Sequence, residues 1–109
     1  IRVLTPQEEG VFIQIMDYTE SNWNKSEFRI SSFSRQLEYS ESQLYRRIKS
    51  LIGKSPTDFI KEYRLHKALV LLHDQQGSIA KIASETGFSS PSYFSKCFFQ
   101  FIKTSAFIS

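Results

Sequence analysis

The sequence predicts an all-α protein built from two similar three-helix halves joined by one long connecting helix. Three observations carry this expectation. Apolar residues recur at helical spacing from Val11 to Phe101, and no stretch shows the alternation of a half-buried strand. Capping residues, prolines and glycines punctuate that pattern into about seven helices. The second half of the chain repeats the first.

The elements follow in order. Residues 1–10 read as a lead-in or linker in which Thr5-Pro6, followed by Gln7-Glu8-Glu9, suits a helix start. From Val11, the residues Phe12, Ile15, Met16 and Thr19 give a first helix ending near Asn22. Asn22, Asn24 and Ser26 mark a loop, with Trp23 and Phe28 expected to pack the first helix against its bundle. A short helix then starts at Ile30 or Ser31, capped by Ser31 or Ser32, with Phe33 and Leu37 on one side. Ser40 and Gln43 form a capping-box pattern for the next helix, whose apolar stripe is Leu44, Ile48 and Leu51 and whose C′ residue is Gly53. This first subdomain spans residues 11–54.

The connecting helix spans 55–73, opened by Ser55-Pro56, with Ile60, Leu65, Ala68, Leu69 and Leu72 inward. Its roughly 17 residues extend about 25 Å. The second subdomain spans 74–109: Asp74 to Gly77 turn the chain, Ser78 caps a helix over Ile79 to Thr86, and Gly87-Phe88-Ser89 form a turn. Ser90-Pro91 open the last helix, with Phe94, Phe98 and Phe101 as its stripe and an atypical C-terminal end.

The repeat gives these elements a purpose. Ile30, Phe33, Ser34, Leu37, Glu38, Tyr39 and Ser40 match Ile79, Ile82, Ala83, Thr86, Gly87, Phe88 and Ser89 at an offset of 49. After a one-residue insertion, Leu44, Arg46, Ile48, Leu51 and Ile52 match Phe94, Lys96, Phe98, Phe101 and Ile102 at an offset of 50. A short helix, a tight turn and a longer helix with a single apolar stripe make up a helix-turn-helix, whose second helix enters a DNA major groove. The expected architecture is therefore two helix-turn-helix subdomains on one connecting helix. Recognition helices about 34 Å apart would meet successive turns of B-DNA, and a shorter spacing would require bent DNA.

The buried stripes determine which side chains remain for DNA. On the first recognition helix, Ser42, Tyr45, Arg46 and Lys49 lie opposite the stripe. Arginine spans both acceptors of a guanine edge, and hydroxyls bond bases or phosphates. Ser42, Tyr45 and Arg46 are the candidate base contacts; Arg47 and Lys49 are candidate phosphate contacts, which orient without specifying. For Arg46 the competing reading is a solvated surface arginine. On the second recognition helix Ser92, Ser95 and Lys96 are the candidates, a face short in reach that suits weak or water-mediated contacts.

The run from Ser40 through Lys49 (SESQLYRRIK), Gly53-Lys-Ser-Pro-Thr-Asp-Phe-Ile, Arg64-Leu65-x-x-Ala68, and Ile79 through Lys96 (IAKIASETGFSSPSYFSK) resemble the AraC/XylS-type DNA-binding domain. The resemblance covers residues 28–101. It implies base reading by Ser42, Tyr45 and Arg46, candidate base or backbone contacts by Ser92, Ser95 and Lys96, and activation of transcription with RNA polymerase as partner. The lead-in Leu4-Thr-Pro-Gln-Glu-Glu and the Asn22–Phe28 segment resemble the stretch preceding this domain in Bacteroidetes-type hybrid two-component regulators. That implies an upstream sensor or receiver and a bacterial cytoplasmic location on DNA, and is compatible with a full-length protein anchored in the membrane. Two departures stand out: Glu38 occupies a turn position where the family places glycine, as Gly87 does, and Phe99 replaces a basic residue.

Composition narrows the alternatives. The 109 residues include ten Phe and five Tyr, enough apolar mass for a core, so disorder is excluded. One cysteine makes neither an internal disulfide nor a thiolate cage. No apolar run approaches the roughly 20 residues that span a bilayer. His66 and His73, with Asp74 and Cys97, are too widely spaced to suggest a metal site, and ordinary solvated or core histidines are the preferred reading. No cofactor is expected. Without a phosphate loop, nucleophile elbow or paired carboxylates, no enzyme is expected in this segment. The start at Ile1 suggests a piece of a longer protein. The net charge of +3 conceals two basic stretches, residues 40–51 and 90–103, each at +2. The other reading is a helical adaptor or dimerisation module that binds protein and not DNA.

Overall fold

The computed structural model describes residues 3–74 and 77–108, with side chains through 104 in the last helix. Its described residues form six helices and no strand. These are α1 (Pro6–Asn22), α2 (Ile30–Leu37), α3 (Glu41–Ile52), α4 (Pro56–His73), α5 (Ile79–Glu85) and α6 (Pro91–Ile108). The chain divides into two compact units: residues up to Asn22 with Phe28–Ile60, and Trp23–Glu27 with residues from Lys61 onward.

In the first unit each helix start is fixed by side-chain caps. Thr5 and Glu8 satisfy each other's backbone N–H, at 3.0 and 3.2 Å, at the start of α1. Ser40 and Gln43 do the same for α3, at 3.0 and 3.1 Å. Val11, Ile15 and Thr19 turn inward from α1, and the Thr19 hydroxyl donates to the Ile15 carbonyl at 2.7 Å, so its burial leaves no orphan donor. Phe33 of α2 and Leu44 and Ile48 of α3 are fully buried. Tyr18, Phe28 and Phe33 pack ring to ring at centroid distances of 5.1–5.6 Å. Gly53 ends α3 at φ 86°, its N–H donating to the Lys49 carbonyl.

The core of the second unit is Leu65 and Ala68 of α4, Ile82 and Ala83 of α5, Phe88 of the turn and Phe94 of α6. Cys97, Phe98 and Phe101 pack against it along the same side of α6. Phe94 stacks with Phe98 at 5.5 Å and meets Phe88 edge-on at 5.1 Å. Ser78 caps α5 through the Lys81 N–H, and Ser90 accepts from the Tyr93 N–H at the start of α6. Thr86, fully buried, donates its hydroxyl to the Ile82 carbonyl at 2.7 Å.

Several local expectations need correction. The lead-in and the first helix are one element, because Pro6 opens a helix that runs through Gly10 without interruption; a helical glycine costs about 1 kcal/mol but does not break a capped helix. That merger leaves six helices among the described residues. The cap of α2 is Arg29, whose N–H donates to Ser32 Oγ at 3.1 Å, so Ser32 serves from inside the helix. Leu69 is 41% exposed, because α4 turns Leu65, Ala68 and Leu72 toward the core and leaves Leu69 at its edge. Trp23 belongs with the second unit: its ring lies under the Lys67 ammonium at 5.3 Å, whereas Phe28 packs on α1 through Tyr18 as expected.

Candidate nucleic-acid interface

Within each unit, two helices meet at a turn of the same construction. In the first, the Tyr39 N–H reaches the Ser34 carbonyl at 3.1 Å; in the second, the Phe88 N–H reaches the Ala83 carbonyl at 2.9 Å. The repeat pairs these residues one to one, so the repeat in sequence is a repeat in hydrogen bonding. Both turns need a residue with positive φ just after the first helix: Glu38 at 60° and Gly87 at 86°. Glu38 is the one non-glycine residue with positive φ among the described residues. Its Cβ meets the steric cost that Gly87 avoids.

Gly87 is required for a second reason. A Cβ built there would lie 2.9 Å from Arg64 Nε, 3.1 Å from Arg64 Cζ and 3.1 Å from the Trp23 carbonyl oxygen. Arg64 cannot easily yield, because its guanidinium donates to the Trp23 carbonyl at 2.8 Å and to the Lys25 carbonyl at 2.7 Å. Burial lowers the pKa of Arg64, while the negative charge of Glu27 acts in the opposite direction. In the sequence Arg64 stands out only as part of the Arg64-Leu65-x-x-Ala68 motif. Its partners lie 41 and 39 residues away, beyond any helical period.

On α3, burial of Leu44 and Ile48 leaves Ser42, Tyr45, Arg46 and Lys49 exposed on the opposite face, Tyr45 at 47%. Arg47 differs: it is half-buried at the flank of the helix, its guanidinium 5.2 Å from the centre of the Tyr39 ring. A shallow depression lined by Glu8, Gln43, Arg46, Arg47, Ser50 and Leu51 runs along this side of the unit. It presents two guanidinium groups against one carboxylate, a surface suited to an anionic ligand. Arg46 is free to offer its planar fork to a base edge, whereas Arg47 is held against Tyr39 and suits a fixed phosphate contact.

On α6, burial of Phe94 leaves Ser92 and Lys96 exposed and Ser95 half-buried. Phe99 lies on the same outward face, 73% exposed. Its position, seven residues after Ser92, is legible in the sequence as spacing, beside its departure from the family's basic residue. No group of three or more His, Cys, Asp or Glu that could hold a metal occurs among the described residues. His66 instead meets the Phe101 ring edge-on at 4.9 Å, and His73 lies 3.3 Å from Asp74. No helix of the described residues is long and apolar enough to cross a membrane.

Comparison with known proteins agrees with this geometry. Residues 33–106 match a family model described as a helix-turn-helix domain. The chain is 36% identical over 90 residues to the HTH-type transcriptional regulator MtrA of Neisseria gonorrhoeae, covering 82% of this chain and 28% of that protein. It is 35% identical over 91 residues to histidine kinase P4 of Formosa agariphila, covering 84% of this chain and 7% of that protein. The chain thus corresponds to a minor part of either relative. Among solved structures, the C-terminal domain of the two-component response regulator yesN from Fusobacterium nucleatum superposes with a TM-score of 0.81 at 26% identity, covering 85% of this chain and 98% of that one. With two matching turns, two outward helical faces and a family model spanning most of its length, this chain belongs to the AraC-type helix-turn-helix DNA-binding domains.

Proposed function

We propose that the chain is the sequence-specific output domain of a transcription regulator, placing α3 and α6 in successive major grooves of double-stranded DNA. The carrying observation is the pair of equivalent outward faces, each opposite a buried stripe on the second helix of a helix-turn-helix. In this reading Ser42, Tyr45 and Arg46, with Ser92, Ser95 and Lys96, address base edges, while Arg47 and Lys49 hold phosphates. Arg46 is the principal discriminating residue, because its exposed guanidinium is a planar fork that matches both acceptors of a guanine edge. The two helix-turn-helix units act as paired readers, with α4 running from one into the other.

The kinship with a histidine kinase and with a response regulator's C-terminal domain supports an origin in a longer two-component protein that carries its sensing or receiver segments outside these 109 residues. The same kinship supports, as part of this reading, activation through RNA polymerase and a cytoplasmic location.

The test is titration of the folded chain with a duplex chosen by selection from a random pool. Affinity is expected to fall by orders of magnitude between about 50 and 200 mM salt. Arg46→Ala should cost about 1–3 kcal/mol on the selected site and relax preference at one base position. Absent or salt-insensitive binding overturns DNA recognition in favour of a protein adaptor. Equal weakening on every sequence reassigns Arg46 to a phosphate.

A further inference from the structure

We infer that Phe99 is a specificity-determining residue that reads thymine methyl groups, giving the second recognition helix an apolar mode of readout. The inference rests on the DNA-binding reading above and deepens it at one residue.

Phe99 is 73% exposed, although ten phenylalanines in a 109-residue chain are mostly available for burial. Its place on α6 is determined by the core. Phe94 is fully buried, with Cys97, Phe98 and Phe101 beside it on the inward side. At about 100° per residue, Phe99 then projects from the opposite side, between Ser95 and Lys96 and nearly in line with Ser92. The internal repeat gives the same answer independently. At the offset of 50 that aligns α3 with α6, Phe99 corresponds to Lys49, an exposed cation on the outward face of α3.

The exchange of an ammonium for a phenyl ring changes what this position can recognise. A ring makes no ion pair with a phosphate and gains nothing from the hydrogen-bonding groups of base edges. The C5-methyl of thymine is the apolar feature that the major groove presents. Ser92 and Ser95 are small enough to let the helix approach, and Lys96 supplies the remaining cation on this face.

The experiment compares the selected duplex with copies in which thymines of one half-site at a time are replaced by deoxyuridine, which lacks only the methyl. The wild-type chain should lose about fourfold in affinity for one of the two substituted half-sites, the weight of roughly one buried methyl. Phe99→Ala should bind the thymine and deoxyuridine duplexes equally. Phe99→Lys should also lose the discrimination, and should steepen the dependence of log affinity on log salt by about 0.9, the signature of one restored phosphate contact. A wild-type chain indifferent to the methyl, or discrimination that survives in Phe99→Ala, overturns the role of Phe99 and leaves DNA binding intact. Failure of the folded wild-type chain to bind any duplex overturns the underlying reading together with this one.

Discussion

Gly53 and Gly87 share a φ of 86°, yet their surroundings differ: a Cβ at Gly53 meets nothing within 4 Å, and one at Gly87 meets Arg64 and the Trp23 carbonyl. Substituting each by alanine therefore separates the cost of left-handed backbone from the cost of close approach. The backbone term is about 1–2 kcal/mol in both, and the reduced entropy of the unfolded chain returns about 0.4–1 kcal/mol, leaving roughly 1 kcal/mol for Gly53→Ala. Gly87→Ala adds the displacement of a guanidinium anchored at 2.8 and 2.7 Å. Losing one such charge-assisted bond costs about 1.5–3 kcal/mol, and the low end applies to a half-buried group. The difference expected between the two variants is about 1.5 kcal/mol, or roughly 6–12 °C in Tm for a domain of this size. Urea unfolding followed by helical circular dichroism measures both. Fluorescence of Trp23, the single tryptophan, follows the second unit. In an Arg64→Ala background the extra penalty at Gly87 should shrink. Equal costs at Gly53 and Gly87, or strict additivity of Gly87→Ala with Arg64→Ala, would refute the close-approach argument.

Two stability predictions concern the first helix-turn-helix. Glu38→Gly should stabilise the chain by about 0.5–1 kcal/mol, relief of the left-handed strain outweighing the entropy that glycine adds to the unfolded state, and should raise the urea midpoint at unchanged slope. A lowered midpoint would show that Glu38 carries a compensating interaction. Ser40→Ala should cost about 1 kcal/mol by orphaning the Gln43 N–H, and Ser40→Asp should recover most of it; equal loss in both variants would rule out capping as the cause.

Much of this fold was legible because local chemistry and tertiary structure agree. Ser40 with Gln43, Gly53, Ser78 and Ser90 stand where caps and terminators belong, and the structure uses each in that role. The strain at Glu38 was readable because the repeat set it opposite Gly87. The outward face of α3 followed from Leu44 and Ile48 alone. What escaped was non-local. The bonds of Arg64 to Trp23 and Lys25 join residues whose spacing carries no period, so Trp23 was assigned to the wrong neighbour. The stacking of Arg47 on Tyr39 was missed because a flank position is polar by pattern yet half-buried in fact. Leu69 was misplaced because a stripe of leucines along α4 does not say which of its edges meets a partner.

The five residues from Trp23 to Glu27 lie between α1 and α2 in sequence but belong to the second unit, where their carbonyls hold Arg64. The repeat invites a picture of two interchangeable cassettes, and this segment contradicts it. The second helix-turn-helix is not a contiguous module: a graft beginning at Lys61 would leave behind both acceptors of Arg64, one of which is the Trp23 carbonyl that crowds Gly87. Swapping reading heads between such domains therefore requires transplanting a loop that contains no part of either head.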